Sequence, residues 1–217
     1  MELELKRGGR TARVETLGGE LVSYRDERGL EYIWGGDPAY WPGRNPLLFP
    51  IVGMLKEGKI RFDGREYAME RHGFARRREF TPAARGEDWV RLELRESAET
   101  LALYPYPFRL AVEQRLTDTG FSTAVTVANP GEGPLPFCLG AHTGFRCPLE
   151  AGERFEDYEL VFPERESCPT LLLRDGLLDR PAALPCLEDT DTLPLDYRWF
   201  DALDTLIFEG LRSRSVA

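Results

Sequence analysis

Apolar residues recur mostly at every second position, as with Leu92 and Leu94 in WVRLELRE or Leu110 and Val112 in FRLAVEQRL. That period is the mark of half-buried strands. Turn-forming clusters separate the runs at short intervals: LGGEL at 17–21, FDGREY at 62–67, TDTGF at 117–121 and ANPGEGP at 128–134. Asp63-Gly64 and Thr119-Gly120 fit the connections of antiparallel hairpins. The stretches 108–116 and 121–127 read as one such hairpin, with Phe121, Thr123, Val125 and Val127 sharing its buried side. Further strands are predicted near 11–16, 20–25, 30–34, 59–62, 65–69, 89–95, 158–162 and 204–208. Helix signals are poor; the best, SAETLALY at 97–104, is short and is stopped by Pro105 and Pro107. Many short strands with turns between them predict an all-β antiparallel fold, a sandwich or a barrel. The stretch 164–195, richer in Pro, Asp and isolated apolar residues, is expected to be an irregular excursion on the same domain.

Composition narrows the class. With 42% hydrophobic and 30% charged residues over 217 positions, the chain can bury a core, and a single domain spanning 1–217 is expected. The 28 basic and 37 acidic residues leave a formal charge of -9, which repels nucleic acid and anionic membrane surfaces. The amino-terminal MELELKRGGRTARVETL lacks the continuous apolar core of a signal peptide, and no later segment reaches transmembrane length, so the cytoplasm is the expected location. Cys138, Cys147, Cys168 and Cys186 form no C-x-x-C pair and read as reduced core or loop thiols, Cys147 alone falling near a Gly-rich segment of interest.

Two histidines carry the candidate chemistry. His72 lies in MERHGFARRREF, among Arg71, Arg76, Arg77 and Arg78; His142 lies in FCLGAHTGFRCP, flanked by Gly140 and Gly144, which permit close backbone approach to a ligand. An imidazole near its usual pKa of about 6.5 suits acid-base work on a sugar oxygen, while the plainer reading is that each histidine caps a loop by hydrogen bonding. No H-x-H, H-x-x-H or H-E-x-x-H spacing points to a metal, and no G-x-S-x-G elbow points to a serine nucleophile. Arg44 and Asn45 stand before the apolar run PLLFPIVG, either facing a ligand or forming a solvated edge. Trp34, Trp41 and Phe74 could stack on a sugar face, though core packing is the commoner fate of aromatics.

These motifs resemble the aldose 1-epimerase (galactose mutarotase) superfamily, in its short bacterial, LacX-related branch. The matching segments are RNPLLFPIVGMLKEGKIRFDGREY at 44–67, RHGFAR at 71–76, YPYPFRL at 104–110, FCLGAHTGFRCPL at 137–149 and DTLIFEGLRSRSV at 204–216. The resemblance implies an antiparallel β-supersandwich that interconverts the anomers of a hexose without a cofactor. A glutamate would deprotonate the anomeric hydroxyl while His142 protonates the ring oxygen and His72 binds and polarises the sugar. It further implies Arg44, Arg76 and Asp204 as substrate contacts. A sugar phosphate stays open because of the arginines at 71–78, although such a cluster is more often a solvated face.

Three departures stand out. Gly53-Met54-Leu55 replaces a G-R-L pattern, removing a sugar-binding cation, and Thr143 replaces a proline. The resemblance places the catalytic glutamate in strands beyond S-R-S-V, and no residue up to Ala217 matches it. The sandwich is therefore expected to be incomplete at its C-terminus, with exposed strand edges that favour homo-oligomers. Three classes follow: an epimerase, a carbohydrate-binding or sensing module that has lost its base, and, from outside the resemblance, a metal-dependent sandwich enzyme.

Overall fold

A computed structural model describes residues 1–179, 186–201 and 203–217. The chain divides into two compact units, Met1–Arg146 and Cys147–Ala217.

The first unit opens with an antiparallel sheet of β1 (Glu2–Arg7), β2 (Arg10–Glu15) and β3 (Glu20–Arg25). β1 was not expected: its alternation of Leu3 and Leu5 with charged residues was weighed only as a leader segment, yet both leucines are buried. A two-residue strand β4 (Leu47–Leu48) precedes the hairpin β5 (Lys59–Phe62) and β6 (Arg65–Ala68), which turns at Asp63–Gly64 as expected. Next come β7 (Thr81–Arg85) and β8 (Trp89–Arg95), then the short helix α1 (Ala98–Leu103). Ser97 caps that helix by accepting from the Thr100 amide, and the chain leaves it at Tyr104, before Pro105. β9 (Arg109–Leu116) and β10 (Phe121–Ala128) complete a four-stranded sheet in the order β10-β9-β8-β7. β11 (Gly140–Ala141) ends the unit's strands.

Alternation governs burial in that sheet. Val90, Leu92 and Leu94 on β8 and Leu110, Val112 and Leu116 on β9 point into one core, with Phe121, Val125 and Val127 of β10 packed against it. Thr123, expected on the same buried side, is exposed and donates to Gln114, whose amide in turn donates to the Gly19 carbonyl. Phe49 sits fully buried among Phe74, Tyr104 and Phe108, with ring centroids 5.2–6.2 Å away. Each such ring contributes roughly 1.5–3 kcal/mol through burial.

The strand expected at 30–34 is reduced to two isolated bridges, Arg25 with Glu31 and Ile33 with Phe145. The Glu31 carboxylate accepts from the backbone amides of Tyr24 and Ile33, taking donors that a ladder would have used.

The second unit contains β12 (Glu159–Cys168), β13 (Thr170–Arg174), β14 (Leu177–Asp179), β15 (Leu187–Pro194) and β16 (Ile207–Phe208). β12 pairs with β15, and β13 pairs with both β14 and β16. The excursion expected over 164–195 is thus largely strands, apart from 180–185, which lie outside the described residues. Its alternation is obscured because β12 and β15 change register twice along their pairing. The strand expected at 204–208 is confined to its last two residues. Glu166 is buried and accepts from the amides of Arg212 and Ser213 at 3.0 and 2.7 Å; those bonds hold its carboxyl below the usual range and fix the S-R-S-V segment.

Candidate active site

The run that precedes and includes β4 explains why two histidines 70 positions apart meet. Asn45 through Ile51 are buried without a break, so this segment is a strut rather than a solvated edge. β11 pairs with it antiparallel, Gly140 opposite Leu48 and Ala141 opposite Leu47. The amide of His142 donates to the Pro46 carbonyl at 3.1 Å, and that of Gly144 to the Arg44 carbonyl at 2.7 Å. The same strut receives the other histidine's segment: Phe74 and Ala75 donate to the Phe49 carbonyl at 3.0 and 3.2 Å, and His72 donates to the Gly53 carbonyl at 2.8 Å. The two imidazole centroids end 6.0 Å apart.

Gly73 is indispensable to that docking. Its φ is +69°, and a Cβ there would lie 2.2 Å from the Phe49 carbonyl oxygen. His72 itself has φ +67°, a left-handed conformation costly for a residue with a side chain, held by two hydrogen bonds with Gly53, one donated by its amide and one accepted by its ring. Gly144 plays a different part from the ligand approach expected of it. A Cβ there would meet the Trp41 ring at 2.7 Å and the Arg44 carbonyl at 3.1 Å, so the bare backbone admits Trp41. Trp41 in turn packs against His142 with centroids 4.9 Å apart, while Trp34 donates its indole N–H to the Trp41 carbonyl. Phe74 is core.

The two imidazoles are held unequally. The Gly53 amide donates to His72 Nδ1 at 3.0 Å, so the neutral ring carries its proton on Nε2. Burial lowers the His72 pKa below the ordinary 6.5, and the positive charges of Arg76, His142 and Arg71 push it the same way. At neutral pH His72 is therefore a fixed, uncharged N–H donor. His142 is exposed, and the described contacts of its ring are with Trp41 and His72.

The arginine run divides in two. Arg77 and Arg78 pair with Glu70 and Glu99. Arg71 and Arg76 make no salt bridge among the described residues; Arg71 lies against the Met54 thioether at 3.9 Å, and Arg76 donates to the Arg71 carbonyl at 2.9 Å. The Nε of Arg76 is buried without a partner, and burial, followed by the charge of Arg77, lowers its pKa. Arg44 is engaged elsewhere, with Glu15 at 3.8 Å and the Gly35 carbonyl at 3.3 Å. Thr143 donates to the buried Asn45 side chain at 2.6 Å, a hydrogen bond that ties the loop where the resemblance has a proline. Asp204 is exposed and lies in the second unit, ahead of β16. All four cysteines are free thiols, Cys168 and Cys186 buried. Among the described residues no group of three or more His, Cys, Asp and Glu side chains is gathered as a metal site.

Residues 1–179 match the aldose 1-epimerase family, and the chain belongs to it. Membership supports a sugar epimerase-like function and an isomerase type of enzyme. Among curated relatives, the plasmid-borne Protein LacX of Lactococcus lactis subsp. lactis is 41% identical over 224 residues, spanning 100% of this chain and 75% of its own length. The chromosomal Protein LacX of the same organism is 40% identical over the same span. In crystal structures, a galactose mutarotase related enzyme from Lactobacillus acidophilus aligns with a TM-score of 0.89 at 27% identity, covering 99% of this chain and 74% of that one. A galactose mutarotase-like protein from Lactobacillus casei aligns at 0.79 and 31% identity, covering 90% and 67%. The fold is the all-β antiparallel sandwich of that class.

Proposed function

We propose that the chain binds an aldose, a free hexose or a close relative, at the His72–His142 pair and interconverts its α and β anomers by acid-base catalysis in the cytoplasm. The observation that carries this reading is the 6.0 Å separation of the two rings, wide enough for sugar oxygens to reach both and bordered by Trp41. His142, the accessible imidazole, delivers a proton to the ring oxygen. The C1–O5 bond then breaks as the anomeric hydroxyl passes its proton to solvent water, giving the open aldehyde; rotation about C1–C2 and reclosure, with O5 returning its proton to His142 and the new hydroxyl taking one from water, yield the other anomer. His72, locked with its proton on Nε2, donates a hydrogen bond to the sugar and polarises it. Arg76 contributes a cation without a carboxylate partner as an oxygen ligand, and Arg71, lying over Met54, brings positive charge to the position where the resemblance has an arginine. Arg44, already held by Glu15, orders the strut.

The test is the decay of pure α-D-glucose and α-D-galactose toward anomeric equilibrium, followed by polarimetry or NMR, with His142→Ala and chelator-treated protein as controls. Acceleration that is lost in His142→Ala and indifferent to chelator is expected. Saturable sugar binding without acceleration assigns the protein to the binding or sensing class instead. Chelator-sensitive acceleration overturns both.

A further inference from the structure

Past its last ladder residue, β11 stays paired with the strut at half strength. Keeping the register of Gly140 with Leu48 and Ala141 with Leu47, His142 falls opposite Pro46, Thr143 opposite Asn45 and Gly144 opposite Arg44. An antiparallel pair of the hydrogen-bonded kind exchanges two backbone bonds. Here each makes one. The His142 amide donates to the Pro46 carbonyl at 3.1 Å, but Pro46 has no amide to return. The Gly144 amide donates to Arg44, yet the Gly144 carbonyl accepts from Trp34 and the Arg44 amide is given to Glu20.

Side chains make up the deficit. Between those two pairs the Thr143 hydroxyl donates across to the buried Asn45 side chain at 2.6 Å. The Asn45 amide faces away from β11 and needs an acceptor of its own, as does that of Arg44. One carboxylate oxygen of Glu20 accepts both, at 2.6 and 2.9 Å, and its charge strengthens the bonds. Glu20 opens β3. The pairing of β3 with β2 slips just beyond it, Val14 facing Leu21 but Arg13 facing Ser23, a bulge of the kind that re-aims side chains next to functional sites. Glu15, opposite Glu20, reaches the Arg44 guanidinium at 3.8 Å, so both acids are turned toward the same stretch of the strut.

We propose that Glu20 and Thr143 are positioning residues for His142: Glu20 fixes the strut at Asn45, and Thr143, fastened to Asn45, fixes the direction in which the imidazole meets the sugar. The inference rests on the reading of His142 as the proton donor to the ring oxygen. Successive side chains of an extended segment leave it on opposite sides, so anchoring Thr143 on one side holds the His142 ring against Trp41 and His72 on the other. Both residues act through His142 rather than on the sugar. A misplacement of about 1 Å at a reacting group can cost about a hundredfold in rate, which is why one side-chain hydrogen bond matters here.

The experiment compares Thr143→Val, Thr143→Ser, Glu20→Ala and Glu20→Gln with the unaltered protein by two readouts. One is kcat and KM for anomer exchange of α-D-glucose and α-D-galactose; the other is the set of through-space NMR contacts between the His142 and Trp41 rings. Thr143→Val, which removes the hydroxyl but keeps the branched shape, is expected to lower kcat about tenfold or more with KM within about twofold, and to weaken the ring contacts. Thr143→Ser, which keeps the hydroxyl, restores both. Glu20→Ala is expected to repeat the Thr143→Val result, and Glu20→Gln, whose amide oxygen can still accept, falls between. Circular dichroism at the assay temperature restricts the comparison to folded protein; should Glu20→Ala fail to fold, Glu20→Gln takes its place, and should Thr143→Val fail, Thr143→Ala does. Unchanged ring contacts in Thr143→Val, a loss that Thr143→Ser does not restore, or a Glu20→Ala protein that behaves as the unaltered one overturns the proposal. If the unaltered protein does not accelerate exchange, the function assigned to His142 falls, and the ring contacts alone decide the positioning: weakened in Thr143→Val and regained in Thr143→Ser they uphold it, unchanged they overturn it.

Discussion

His72 and His142 hang on one strut yet are built in opposite ways. The His72 segment is over-determined: a left-handed residue, a glycine with no room for a methyl group, and a ring nitrogen already occupied by a backbone amide. The His142 segment is fastened through its backbone to Pro46 and Arg44, while the described contacts of its ring are with the side chains of Trp41 and His72. The difference teaches a division of labour. On the proposed function, the group that keeps its proton is the immobilised, partly buried His72, and the group that gives one up and takes it back is the exposed His142.

The sharpest way to break this contrast is at Gly73. Gly73→Ala forces a methyl against the Phe49 carbonyl at a positive φ, and should cost about 3 kcal/mol or more, read as a fall in melting temperature with loss of sugar binding. His142→Ala should leave the fold intact and remove about 10²–10⁴ of any acceleration of anomer exchange, with binding far less affected. Gly144→Ala acts on the partner of the open imidazole: displacing Trp41 should cost about 1–3 kcal/mol of stability and weaken sugar affinity without abolishing it.

The smallest effect is one of pH. Because the folded-state pKa of His72 is depressed, the unfolded chain takes up a proton first. Stability is thus fully present above about 6.5 and declines as pH falls through the lower folded value. Protonation at Nδ1 also removes the acceptor for Gly53, so the Gly53 amide resonance should shift over that same acidic window. A Gly53 resonance indifferent to pH there would contradict the fixed donor assigned to His72.

Much of this was readable from residue order. The hairpins at Asp63–Gly64 and Thr117–Gly120 and the short helix after Ser97 are local matters, decided by turn chemistry and capping. The histidines stood out by scarcity and setting. What escaped depends on partners distant in the chain. The 30–34 strand yields to one glutamate that satisfies the amides of Tyr24 and Ile33, and the strands of 164–195 are hidden by register slips. Gly53 as the partner of His72, and Trp41 as that of His142, carry no local signature, since each contact spans a fold that must already exist; the glycine after Thr143 was a signal, but of indole packing rather than of a ligand.

The indole of Trp41 resting 4.9 Å from His142 gives the protein an optical reporter of its own. Imidazolium quenches tryptophan emission more strongly than neutral imidazole, so the brightness of one residue tracks the proton on its neighbour. A fluorimeter titration, compared with Trp41→Phe to subtract the remaining indoles, would follow that proton without label or substrate.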